Sequence, residues 1–390
     1  MRKFLVFGYA FWMTIGVNQV YSQVLKSMLR LPDTGQNQSY TQSFGEDNDY
    51  NFNTPFFIDY GDGTVLDTVT GLTWQKTDGG EMTVGAAITY CDTLTLGGQN
   101  DWRLPNAAES FSIMNQNYAN PSLDAAVFTT TNADYWWTSD RQANDTNKVW
   151  VTNAGGGIGN HPKNETISDG GNKRFHVRAV RSDPGGTFIP QRFENLASGS
   201  VWDKLNGLEW NPVAVQDSMS WEEALAFAEN SNALGFGDWR LPNIKELRSL
   251  NDESILNPSV NPVFFPNVGV GKFWSSTTLP NQTTKSWIFD THFGITTYAE
   301  KTSQKRMLMV RNYDNLSNGI DVLDLQFSIY PNPFADKIRL NHETDWKLYD
   351  SQGKMLGFGR GEIISNLSNL NQGIYLLVLE GRGRYKLVKQ

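Results

Sequence analysis

The chain repeats itself, and that repeat is what most restricts its fold. Asp67, Gly71, Leu72 and Trp74 recur in the same order as Asp203, Gly207, Leu208 and Trp210. The run Asp101-Trp102-Arg103-Leu104-Pro105-Asn106 returns unchanged as Asp238-Trp239-Arg240-Leu241-Pro242-Asn243. Further on, Trp137 and Ser139 match Trp274 and Ser276, Trp150 matches Trp287, and Val180-Arg181 matches Val310-Arg311. The copies span residues 56–182 and 193–312. Units of that length are domains rather than solenoid repeats, so each is expected to fold around its own core.

Inside a copy the order of elements can be read coarsely. In the second, Ser220 and Glu223 form a capping box, and Trp221, Ala224, Leu225 and Ala228 follow at helical spacing. The first has a weaker stripe of Val84, Ala87, Ile88, Cys91 and Leu94, which sets Cys91 opposite Ala228 on a core-facing side. Asn106 with Glu109, and Asn243 with Glu246, mark the start of a second helix. The remainder is short aromatic and β-branched runs broken by Gly, Asn and Asp, with Asp62-Gly63 as a hairpin turn. The expected class is α+β, with two helices and a small antiparallel sheet per module. In an extended Asp-Trp-Arg-Leu-Pro-Asn segment, Trp and Leu share one face while Arg takes the other, where Glu109 or Glu246 can hold it. Trp102, Arg103, Leu104, Pro105, Trp239, Arg240, Leu241 and Pro242 are therefore assigned to folding.

The flanks point outside the cell. Residues 1–22 read as a secretory signal, with Arg2 and Lys3, an apolar run from Phe4 to Val17, and Ser22 at the cleavage position. Residues 23–55 are a lead-in segment. Cys91 is the only cysteine, so no intrachain disulfide can form and packing must carry the fold. A net charge of −8 with no basic cluster argues against nucleic acid and anionic membranes as partners. No segment after the signal is apolar enough to cross a membrane. Residues 313–325 form a polar linker. From 326 to 390, short strands at 327–330, 338–340, 346–349, 374–379 and 385–388 suggest an all-β sandwich.

This last segment resembles the C-terminal sorting domain of the type IX secretion pathway. The likeness rests on Ser328-Ile329-Tyr330-Pro331-Asn332-Pro333-Phe334, on Leu348-Tyr349-Asp350 with Gly353, on Gly373-Ile374-Tyr375, and on a tail with Lys386, Val388 and Lys389. Pro331, Asn332, Pro333, Gly373 and Tyr375 are its motif positions. The resemblance implies an Ig-like sandwich, passage across both membranes with the type IX secretion machinery as partner, and a secreted or cell-surface product. Each repeat is similar to the Lcl C-terminal domain family, through Gly71-Leu72-Thr73-Trp74-Gln75, Gly207-Leu208-Glu209-Trp210, both Asp-Trp-Arg-Leu-Pro-Asn runs and the closing Val-Arg pairs. That family resembles C-type lectins in fold, so two C-type-lectin-like modules are implied. Its better-studied members imply adhesion to sulfated polysaccharide through a protein that also carries collagen-like stalks. This chain has no Gly-X-Y stalk, and trimerisation does not carry over.

Trp136 and Trp137 are neighbours on a strand, so their rings face opposite sides. Trp137 is assigned to the core. Trp136 and its counterpart Phe273 are then candidate platforms for the apolar face of a sugar, with packing against the neighbouring module as the competing role. Glu46, Asp47 and Asp49, with Asn51, could offer oxygens to calcium, although Phe52 stands where a calcium loop needs Gly; the alternative is a solvated acidic turn. The four histidines are scattered, and no catalytic motif is present. The glycines between Gly155 and Gly159 read as a flexible insertion. The leading expectation is a non-enzymatic, adhesin-like exported protein that binds glycans or another surface polymer. An extracellular hydrolase of polysaccharide or peptide is the alternative, as is a purely structural envelope component, favoured if Trp136 and Phe273 are buried between modules.

Overall fold

The computed structural model describes residues 24–166, 174–182, 187–189, 191–313, 329–330, 334–350, 354–379 and 383–389. The signal reading of 1–22 and all but the first linker residue lie outside them.

The shared six-residue run organises both modules in the same way. Trp102 and Leu104 are buried, as are Trp239 and Leu241. Each indole is tied down, Trp102 Nε1 donating to Leu96 O at 3.2 Å and Trp239 Nε1 to Ala233 O at 2.7 Å. On the opposite side Arg103 makes a bidentate pair with Glu109 at 2.7 Å on both arms, and Arg240 grips Glu246 at 2.6 and 2.7 Å. The same glutamates close capping boxes with Asn106 and Asn243, which start helices α2 (Ala107–Ser112) and α4 (Ile244–Ser249). Main-chain bridges from Arg103 to Val180 and from Arg240 to Val310 complete the match.

The other helix of each module is α1 (Val84–Thr93) or α3 (Trp221–Glu229). Trp221, Ala224, Leu225 and Ala228 are all buried, and so are Val84, Ala87 and Cys91, whereas Ile88 points to solvent. Burial pushes the Cys91 thiol up to about 12, which leaves it chemically quiet.

The expected α+β class with two C-type-lectin-like modules does not hold. Strands take 37% of the structure against 12% helical, so the molecule is mostly β. The helices are short, six residues for α2 and for α4. Instead of one small sheet, each module has two. In the first, Phe57–Asp59, Thr64–Asp67, Leu72–Gln75 and Val180–Ser182 form one, and Ile158–Pro162, Asp145–Asn153, Tyr135–Gln142 and Phe175–His176 the other. The second module repeats this with Phe193–Asn195, Val201–Asp203, Leu208–Trp210 and Val310–Asn312, and with a five-stranded partner sheet. Neither is purely antiparallel, since Tyr135–Gln142 pairs in parallel with Phe175–His176, and Lys272–Thr278 with Lys305–Met307. Strands of two or three residues are too short to show alternation, which hid them in the sequence. The C-terminal segment also departs from a sandwich, its five described strands belonging to one connected sheet. Strand Ile338–Asp350 runs unbroken through two of the expected strands, and Met355–Ile364 is an additional one.

The modules also share a core beyond the one each keeps for itself. One apolar cluster runs through both, with Trp74, Trp136 and Trp150 from the first and Trp210, Phe273 and Trp287 from the second. Smaller clusters lie beside it in each module, around Trp137 and Trp274. At the seam Ile158 N donates to Thr296 Oγ1 at 2.9 Å. A Cβ on Gly157 would stand 3.2 Å from the Trp287 ring, so the glycines read as a flexible insertion are where the second module's indole comes close.

Candidate functional site

The lead-in precedes the first module in sequence, yet it straps the second. Its backbone is held at several points. Gln36 Nε2 donates to Thr278 O at 2.6 Å and Gln116 O at 3.1 Å, bridging both modules. Asp47 Oδ2 accepts from Thr277 Oγ1 at 2.5 Å and Thr34 Oγ1 at 2.8 Å. The Tyr50 hydroxyl donates to Glu229 on α3 at 2.8 Å. The rings of Tyr50 and Phe52 lie 5.4 and 5.2 Å from the Arg240 guanidinium, sealing its pair with Glu246. Lys245, on α4, is fully buried where three segments meet, its Nζ donating to Asp33 O at 2.7 Å and Ser112 O at 2.8 Å.

Between strap and sheet lies a cleft of about 620 Å³. Trp202 and Tyr313 stack at 4.3 Å with ring planes 18° apart, and Lys204 Nζ sits 5.3 Å from the Trp202 ring. Phe52, 41% exposed, lines the same cleft from the strap. Asn51, Asn53, Asn206, Asn243 and Asn312 supply amides around the rings. Each is anchored on one side: Asn51 Nδ2 donates to Asn48 O at 2.7 Å, Asn53 Nδ2 to Leu31 O at 3.1 Å and Asn206 Nδ2 to Asp203 Oδ2 at 2.9 Å, while Asn243 Oδ1 accepts from Glu246 N–H at 2.9 Å and Asn312 Oδ1 from Arg240 Nη2 at 3.2 Å. Two carboxyls, Asp33 and Glu246, also line the cleft. Glu246 is committed to Arg240 and to the Asn243 N–H, which donates at 3.0 Å. Burial pushes Asp33 up to about 8, the Asp47 charge adding to the rise. Burial likewise raises Asp47, to about 6, and lowers Lys245 to about 8.

In the first module the same strand position is covered. Leu66 occupies the position of Trp202, and with Ile58 it packs against Leu376 of the C-terminal segment. Nothing in the second copy alone marked Trp202, Lys204 and Tyr313. The available signal was the difference between copies at that one strand position.

The residues singled out from sequence fall elsewhere. Trp136 is 4% exposed and Phe273 fully buried, both in the common core, so neither offers a platform to a sugar. The alternation argument failed because both faces of strand Tyr135–Gln142 are covered, Trp136 entering the common cluster and Trp137 the first module's own. Trp136 Nε1 donates to Asp78 Oδ2 at 3.1 Å, and Phe273 lies under the Arg306 guanidinium.

Glu46, Asp47 and Asp49 do not converge. Glu46 Oε1 accepts from Tyr40 N–H, Asp49 Oδ2 from the N–H groups of Gly45 and Glu46, and Asp47 from the two threonines. They fasten the strap, and no group of three or more His, Cys, Asp or Glu among the described residues is arranged to hold a metal. In the C-terminal segment Gly373 opens a strand and Tyr375 is buried, its hydroxyl donating to Asn371 O at 2.7 Å. Pro331, Asn332 and Pro333 lie outside the described residues.

Comparison with known families matches the Lcl C-terminal domain twice, over residues 63–181 and 199–311. The chain belongs to the Lcl C-terminal domain family. A secretion system C-terminal sorting domain matches 328–390. This Lcl-family protein is therefore secreted or displayed at the cell surface after export across both membranes, with the type IX machinery as a partner. No helix among the described residues is long and apolar enough to cross a membrane. No curated protein matches the chain.

Proposed function

We propose that this exported Lcl-family protein binds a glycan or another surface polymer in the cleft on its second module. The observation that carries the reading is the stacked Trp202–Tyr313 pair in a cleft that Phe52 and five asparagines also line. Rings cover the C–H faces of a sugar while amides fix its hydroxyls, and an open cleft admits a chain threaded along it. Binding is favoured over hydrolysis because Glu246 is already spent on Arg240, which leaves no pair of available carboxyls.

Immobilised polysaccharides, with millimolar calcium and without it, should retain the full chain. Trp202→Ala or Tyr313→Ala should weaken retention by roughly tenfold or more, the usual loss for an aromatic anchor. Failure to retain any polymer under either condition overturns the reading. It would then favour the second one, a structural envelope component, which draws support from the burial of Trp136 and Phe273 in the common core.

A further inference from the structure

Strand Met355–Ile364 lies at an edge of the sorting segment's sheet. Among the described residues it pairs only with Ile338–Asp350, so its outer row of N–H and C=O groups has no strand partner there. Four large apolar side chains on it are exposed, Met355, Leu356, Phe358 and Ile363, with Phe358 at 72%. Its other face is nearly bare. Gly357 and Gly359 lie against the Trp346 indole, where a Cβ on Gly359 would come within 2.9 Å of the ring. Exposed edges are ordinarily protected by Pro, Lys or a bulge that turns the strand away; the segment Met-Leu-Gly-Phe-Gly-Arg-Gly-Glu-Ile-Ile contains neither Pro nor Lys, and its two register shifts lie on either side of the stretch Gly357–Gly361, which pairs in continuous register.

We propose that this edge pairs with the same edge of a second copy of the chain, giving a twofold dimer through a sheet continuous across both. The occupant follows from charge order. In an antiparallel pairing centred on Gly361, Arg360 of each copy stands opposite Glu362 of the other, twice over by symmetry. Within one copy Arg360 makes an exposed pair with Glu343 at 3.4 Å and stands opposite Asp345 on the neighbouring strand, contacts that exchange at little cost. Pairing would also cover Phe358 and satisfy the free backbone row, with no rearrangement of the modules.

The test uses the full chain in sedimentation velocity over a concentration series, with hydrogen exchange read in parallel. The dimer should form by about 100 μM, and amides within 358–364 should gain protection as it does. Arg360→Glu puts like charges opposite one another and should weaken association by about tenfold or more, while Arg360→Glu with Glu362→Arg should restore it. Circular dichroism checks that both variants fold. The proposal is overturned by a monomer at about 100 μM, by a dimer that leaves 358–364 unprotected, or by association indifferent to Arg360→Glu. Protection that appears only when another protein is added also counts against it.

Discussion

Arg103 and Arg240 occupy the same place in their modules and make the same bidentate pair, yet their surroundings differ in a way that sets their cost. The Arg240 side chain is 4% exposed beneath Tyr50 and Phe52, and that of Arg103 is 38% exposed. Removing the partner of a buried cation leaves it uncompensated, at about 3–5 kcal/mol. Glu246→Gln should therefore destabilise by about that much, and Glu109→Gln by only about 1–2 kcal/mol, since water can reach Arg103. Urea unfolding of the two variants checks the order, and equal losses would mean the strap does not shield Arg240. The pair itself was legible in sequence, because an extended segment fixes which side Arg takes and the capping box places the glutamate. The shielding rings were not legible, since Tyr50 and Phe52 reach Arg240 only through the tertiary fold. Trp136 misled for a related reason: period-two alternation tells which side a ring takes, and says nothing of whether that side is covered.

The strap, which includes the short 3-10 helix Asp47–Asp49, is held by buried titratable groups, and this makes its grip depend on pH. Asp33 and Asp47 both have folded values raised above the ordinary carboxylate 3.8, so their contribution is complete below that value. It is lost as pH rises through about 6 for Asp47 and about 8 for Asp33. Lys245 is displaced in the other direction, to about 8; its share is present above 10.5 and is gone once pH has fallen through 8. Between pH 4 and 7 the aspartates therefore set the trend. Protection factors of amides 33–53, corrected for the base-catalysed intrinsic rate, should be lower at pH 7.5 than at pH 5, and Asp33→Asn, which stays neutral, should reduce the difference. Protection factors that do not change with pH in the parent protein would remove the strap from control by these groups. The helix starts at Asn106, Ser220 and Asn243 could be read beforehand because capping is local. The cleft could not, because its walls come from the lead-in, the second module's sheet and Tyr313 after its last strand.

At the scale of the whole molecule, the common core makes one cooperative body out of what the sequence presents as two. Trp150 and Trp287 belong to the same apolar cluster, and Arg248 of α4 lies over the Trp150 ring at 5.1 Å. Calorimetry of the full chain should show both modules melting in one transition, with the sorting segment, which has its own core, free to melt apart. Residues 56–182 expressed alone should give no sharp transition, since half of the cluster is missing. Two resolved melts for the modules would contradict this.

The path of the strap also fixes an order of events. Residues 33–53 are made early, but the groups that receive them, from Glu229 and Lys245 to Thr277, are made much later. The front of the chain therefore stays unsettled until the second module has formed, and a proteolytic nick just ahead of the first module would disarm the second.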